Sequence, residues 1–201
     1  MVNYIITQLD ISKQYLIKLP DDIDKYANLK KLDCSCNKIT SLDNLPLSLL
    51  ELDCRSNKIT NLDNLPPILE HLYCGDNKIS SLDNLPPTLK TLICWFNQLT
   101  SLDNLQPNLI SLNCSTNTLT SLNNLPPNLK ELYCSENNIT SLDNLPPNLQ
   151  ILYCGWNKLI SLDNLPPNLQ ILYCNNNPLT YDFEPTIENI RNYNVSRKQS
   201  S

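Results

Sequence analysis

Cysteine recurs at positions 34, 54, 74, 94, 114, 134, 154 and 174, and asparagine recurs three residues after each, so the chain repeats every 20 residues without insertion or deletion. The segment 129–148 shows the unit: L-x-x-L-x-C-x-x-N-x-[IL]-x-x-L-x-x-L-P-P-x. A coil this short cannot bury its own apolar side and must stack on its neighbours. A strict short period therefore demands a single elongated solenoid without an internal domain boundary, despite a length of 201 residues.

Within one unit, the alternation around Leu132, Tyr133, Cys134 and Ser135 is strand-like, with Leu132 and Cys134 inward and Glu131, Tyr133 and Ser135 outward. One short parallel strand per coil follows. The return half, in its commonest form Thr-Ser-Leu-Asp-Asn-Leu-Pro-Pro, has too few residues and too much proline for a helix, so an extended, polyproline-like convex side is expected. Eight regular units begin at Leu29, Leu49, Leu69, Leu89, Leu109, Leu129, Leu149 and Leu169. Ile6, Leu9, Ile11, Gln14, Leu16 and Leu19 reproduce the same spacing at an offset of 23 residues, which makes a degenerate first coil, closed by a short helical turn after Pro20. Beyond Leu179, the spacing of Phe183, Ile187, Ile190 and Tyr193 predicts an amphipathic helix packed across the last coil. The chain thus divides into an N-terminal capping repeat (1–28), eight repeats (29–179), a C-terminal capping helix (180–195) and a disordered polar tail (196–201). Nine coils at strand spacing make a body about 40 Å long.

Several chemistries are disfavoured. A formal net charge of −5, with Lys and Arg in no dense cluster along the chain, opposes nucleic acid and anionic membrane as partners. The N-terminus lacks a basic and apolar signal sequence, and no stretch could span a bilayer. Nine cysteines without an export signal point to a reducing, cytoplasmic setting, with the cysteine column an inert row of buried thiols rather than disulfides or a metal site. In that setting the N-x-[ST] matches at Asn113, Asn138 and Asn194 carry no meaning. The asparagine column is structural, its amide satisfying backbone groups where the strand turns away. Asp43, Asp63, Asp83, Asp103, Asp143 and Asp163 form a column of like charge with two readings: carboxylates accepting backbone N–H bonds in the following turn, or a cation-binding edge. His71, the lone histidine, has no nucleophile beside it and reads as solvated, so neither catalysis nor a cofactor or metal is expected.

Positions that vary between copies are those the scaffold does not dictate. They gather on the outward side of the strands, where Tyr73, Tyr133, Tyr153 and Tyr173 share one column and Trp95, Phe96 and Trp156 lie two and three residues further along. Aromatic side chains on a rigid sheet are the substance of interaction hot spots. These seven residues are the candidate partner-binding site, and the alternative is that the tyrosines only stack on one another across strands.

The unit resembles the leucine-rich repeat signature L-x-x-L-x-L-x-x-[NC]-x-L, with cysteine in an inward slot that the family usually fills with leucine. The short proline-bearing form is similar to the repeats of bacterial type III secretion effectors and to leucine-rich repeat proteins of giant amoebal viruses. That resemblance implies a horseshoe or gently curved solenoid, mostly β, with a parallel sheet on its concave face, used as a non-enzymatic scaffold that binds a protein inside a host cell. Some of those effectors carry a C-terminal ubiquitin ligase domain; here about 20 residues follow the last repeat, and no part of that activity can be placed on them. The expected state is a monomer bound to a protein partner whose identity the scaffold positions do not disclose. The rival reading is a structural or assembly protein with no concave ligand.

Overall fold

The computed structural model describes residues 4–199. Each coil contributes one strand of three residues, and nine of them, β1 (Gln8–Asp10), β2 (Lys31–Asp33), β3 (Glu51–Asp53), β4 (His71–Tyr73), β5 (Thr91–Ile93), β6 (Ser111–Asn113), β7 (Glu131–Tyr133), β8 (Ile151–Tyr153) and β9 (Ile171–Tyr173), form one parallel sheet in sequence order. Register follows the repeat, with Leu52 beside Leu72 and Leu72 beside Leu92. The degenerate first coil joins at the expected offset of 23, Leu9 beside Leu32.

The strands are short because the chain must leave the sheet to return behind it, and asparagine makes that exit possible. Asn117 Oδ1 accepts the Leu99 N–H of the preceding coil, while its Nδ2 donates to the carbonyls of Cys94, Cys114 and Ser115. The same set recurs from Asn57 to Asn177, so the amide serves as a strut between neighbouring coils, with both its N–H donors and its oxygen engaged. Beneath it lies a continuous core of leucine, isoleucine and cysteine side chains from every coil. Cys34 to Cys154 are completely buried and Cys174 is nearly so, with all eight thiols free. Burial pushes the thiols of Cys34, Cys74 and Cys114 up to about 12 and raises their neighbours likewise, because a thiolate has no solvation there.

The return side carries no α-helix in the regular coils. It is more turned than a polyproline run: Leu129 N–H bonds the Pro126 carbonyl, so the second proline of each pair opens a β-turn, whose fixed φ it pre-sets. A second tight turn precedes it at Asp-Asn, and Asn44, Asn64, Asn84, Asn104, Asn124 and Asn144 all sit in the left-handed region there, with φ between 60° and 68°. Asparagine tolerates that conformation better than other side chains with a Cβ. The aspartate column behaves differently from both expectations. Asp63 Oδ1 accepts a bond from Asn84 Nδ2 at 3.0 Å, and Asp83 accepts one from Asn104 at 2.7 Å, with the same contact at Asp43, Asp103 and Asp143. The carboxylates therefore face side-chain amides of the next coil, made available by the left-handed turn, rather than backbone N–H groups. Among the described residues no cluster of three His, Cys, Asp or Glu side chains is placed to hold a metal ion.

Each end carries a cap. In the N-terminal cap, a 3₁₀ turn (Ile23–Lys25) buries Ile23, and Tyr4 donates to Asp22 while packing edge-on against Tyr26. At the C-terminus the one α-helix among the described residues, α1 (Ile187–Gln199), starts later and runs further than its expected span of 180–195. Pro185 blocks helical geometry at the residue before it, and Thr186 Oγ1 accepts the Asn189 N–H as an N-cap, which fixes the start. No proline or glycine lies within the helix, so residues 196–199 continue it instead of forming a disordered tail. Phe183 accordingly is not part of a helical stripe. It lies in the arm before α1, stacked on Tyr181 at 4.8 Å and against Tyr193 at 5.4 Å. Ile190 is fully buried against the last coil, Arg191 donates to the Pro166 and Pro167 carbonyls, and Asn194 donates to Leu162 and Asp163. The cap thus seals the return half of the last coil, whereas β9 keeps an exposed edge with Ile171 and Tyr173 40% and 52% exposed. Residues 1–3 of the N-terminal cap and 200–201 of the tail lie outside the described residues.

Candidate interaction surface

The outward strand positions form the concave face, and the seven aromatic residues fall into four groups on it. Tyr133, Tyr153 and Tyr173 stack on consecutive strands, with ring centroids 4.9 and 4.3 Å apart. Only Tyr173, on the edge strand, is exposed, since each inner ring is half covered by the next. Partial burial raises the Tyr133 phenol above its ordinary range, and burial together with a bond to Tyr173 does so for Tyr153. Tyr73 stands apart from this stack, separated by Ile93 and Asn113 in the same column, and the Arg55 guanidinium covers it at 5.6 Å. The same guanidinium bonds Asp53, so Tyr73 and its neighbours form a polar cluster.

Trp95 and Phe96 are adjacent, at 6.5 Å between centroids, but do different things. Trp95 lies over Gly75 in the coil before it: a Cβ on Gly75 would sit 2.6 Å from the indole nitrogen, so the ring occupies the space that glycine leaves. Phe96 points into solvent. Trp156, which the sequence groups with the strand positions, occupies the same slot as Phe96, three residues beyond the end of its strand, on the turn that leaves the sheet. That slot is left-handed in every regular coil, with φ of 51° at Phe96 and 56° at Trp156, and in every coil but the last its N–H bonds a carbonyl of the next coil, as Trp156 N–H does that of Asn175. Phe96 and Trp156 are 55% and 60% exposed. The aromatic set is therefore a half-covered tyrosine stack flanked by two bare rings on one rim.

Two features of this surface escape a reading by residue type. Asp10, Asp33, Asp53 and Asn113 occupy the tyrosine column and accept the backbone N–H two residues on, holding the strand exit in the coils without a tyrosine. On the opposite rim, where the chain enters the strands, Asn108, Asn128 and Asn168 donate to the preceding coil's proline carbonyl and, with Asn148, Lys90, Ile110 and Lys130, line a groove of about 610 Å³. The asparagines at 108, 128, 148 and 168 are its trace in the sequence, though a column of repeats reads there as scaffold. His71 faces Glu51 across the sheet and lies 4.0 Å from Glu70, with no cysteine or serine nucleophile in its strand or the partner positions beside it.

Comparison with known proteins places this geometry. Residues 127–167 match the family described as Leucine Rich repeats (2 copies). A Shigella effector LRR domain shares 32% sequence identity, over 77% of this chain and 70% of that one, with a TM-score of 0.68. The chain is a leucine-rich repeat protein. YopM from Yersinia enterocolitica WA-314 is similar at 34% identity and a TM-score of 0.70, covering 92% of this leucine-rich repeat chain, which spans only 50% of YopM. The functional domain of InlJ from Listeria monocytogenes, described as including a cysteine ladder, shares 36% identity over 87% of this chain and 45% of its own, with a TM-score of 0.65. The bacterial effector likeness of the repeats is thus matched in fold and sequence. No curated protein sequence matches the chain.

Proposed function

We propose that this leucine-rich repeat protein is a non-enzymatic recognition scaffold that holds a protein partner on the aromatic side chains of its concave face and rim, inside a host cell. The observation that carries the reading is the display of Phe96 and Trp156. Both are large, more than half exposed, and set on left-handed turns, a conformation that costs a residue with a Cβ about 1–2 kcal/mol. The same slot holds serine, aspartate or threonine in other coils, so nothing in the fold asks for a ring there. Rigid exposed aromatics lose little entropy on docking, which is what makes them effective anchors. The family likeness to a Shigella effector domain and to YopM supports work in a host cell.

The test compares wild type with Phe96→Ala plus Trp156→Ala in quantitative capture from host-cell lysate, each bound protein identified by mass spectrometry. Trp95 is left intact because its removal would open a hole over Gly75 and confuse binding with packing. Specific partners should fall by at least tenfold, the loss of one to two hot-spot contributions. Partners retained at equal strength would refute the proposal. The alternative of a structural or assembly protein draws on the tyrosine stack, whose rings satisfy one another without a ligand, and it predicts that equal retention.

A further inference from the structure

Lysines that are 20 residues apart in the chain become neighbours in the solenoid. Lys38, Lys58 and Lys78 occupy one slot on three consecutive coils, one residue beyond the asparagine struts, with their side chains exposed. Strand spacing places successive members about 4.8 Å apart at the backbone. None of the three makes an ion pair with a described residue, although the chain carries more acidic than basic residues. Like charges on adjacent coils repel, so the row costs stability. The fold does not require it, because the next three coils hold Gln98, Thr118 and Asn138 in the same slot. At the N-terminal end of the row stand two bare apolar side chains from the first coil, Tyr15 and Ile17, 80% and 69% exposed, and Lys38 Nζ lies 5.8 Å from the Tyr15 ring. Tyr15 adopts the left-handed conformation with φ of 60°, which turns a large ring outward at a cost in backbone energy.

We infer that the N-terminal stretch of the strand-exit rim, on the coils before Phe96, docks an acidic linear segment of a partner protein, with an apolar residue of the segment against Tyr15 and Ile17 and its carboxylates along Lys38, Lys58 and Lys78. Charge complementarity selects the acidic segment, since carboxylates relieve the repulsion that the chain itself leaves uncompensated. The apolar end selects protein over a bare polyanion, because a phosphate backbone has nothing to place on Ile17. Polarity follows too: the segment runs along the solenoid axis with its apolar residue toward the N-terminal cap.

The probe is a fluorescein-labelled peptide of one terminal phenylalanine followed by alternating glutamate and serine, its binding followed by anisotropy at about 50 and about 200 mM salt. Wild type should bind, and the variant carrying Lys38→Gln, Lys58→Gln and Lys78→Gln should bind about tenfold more weakly with a flatter salt dependence. Tyr15→Ala should weaken binding while leaving the salt dependence unchanged, and Lys158→Gln, in the same slot four coils beyond Lys78, should change nothing. Circular dichroism confirms that each variant is folded. The inference is overturned if wild type does not bind, if the triple variant binds like wild type, or if the glutamine analogue of the peptide binds equally well. It is also overturned if oligothymidylate binds as tightly as the peptide and loses nothing in Tyr15→Ala, since the row would then be a site for any polyanion.

Discussion

Replacing Asn117 by alanine removes four hydrogen bonds, yet the structure shows that their loss is unequal. The Cys94 carbonyl keeps its bond from Asn97, the Cys114 carbonyl keeps one from Asn137, and the Ser115 carbonyl keeps the Phe96 N–H. Only the Leu99 N–H, in a residue with no exposed surface, loses its sole partner. An orphaned buried donor costs about 1–3 kcal/mol, and three weakened carbonyls add a fraction of that each, so Asn117→Ala should lose about 2–4 kcal/mol. Asn177, the last strut, holds the N–H of the equally buried Leu159, but it is itself partly exposed with no coil beyond it, so water can enter in place of its amide and Asn177→Ala should cost less than Asn117→Ala. Urea unfolding followed by circular dichroism measures both, with the slope against urea held equal to validate the comparison. Equal losses at the two positions, or a loss below about 1 kcal/mol at Asn117, would show that the amide is not a strut between coils.

Other outcomes follow from the same structure. A thiol reagent applied to the native, unreduced protein should modify Cys36, the one exposed cysteine of the nine, and should reach all nine only after denaturation; fewer than nine would mean that the buried row is oxidised. Stability should fall steeply above pH 9.0, the ordinary thiol value: the folded state holds its thiol protons there while the unfolded chain releases them, each buried thiol contributing up to about 1.4 kcal/mol per pH unit. Below that pH both states are protonated and the row should have no effect, so Cys114→Ala should flatten an alkaline unfolding curve without changing its neutral baseline shape. Deleting residues 181–201 removes Ile190 and the Tyr181, Phe183 and Tyr193 cluster, worth roughly 3–6 kcal/mol of apolar burial before ordering entropy, and should lower the melting temperature or cause aggregation. Deleting 196–201 should change little, because Ser196 and Arg197 are exposed, and an unaltered melting temperature after the longer deletion would show that the last coil seals itself.

The period of 20 and the alternation within it determined by themselves the solenoid, its nine strands, the offset of 23 at the first coil, the inward leucines and cysteines, and the outward side of the strand tyrosines Tyr73, Tyr133, Tyr153 and Tyr173. Those features depend on the spacing of apolar residues, which survives any detail of side-chain reach. What the tertiary structure alone decided are contacts between coils. The Asp–Asn bonds and Trp95 on Gly75 each join residues about 20 positions apart, and their existence turns on backbone dihedrals and rotamers that no spacing encodes. The helix start moved for a local reason, a proline and a threonine cap outweighing an apolar stripe. Of the seven candidate aromatics, the sequence could name them all, but only packing separates rings that support one another from Phe96 and Trp156, because exposure is a property of the neighbouring coil and not of the residue.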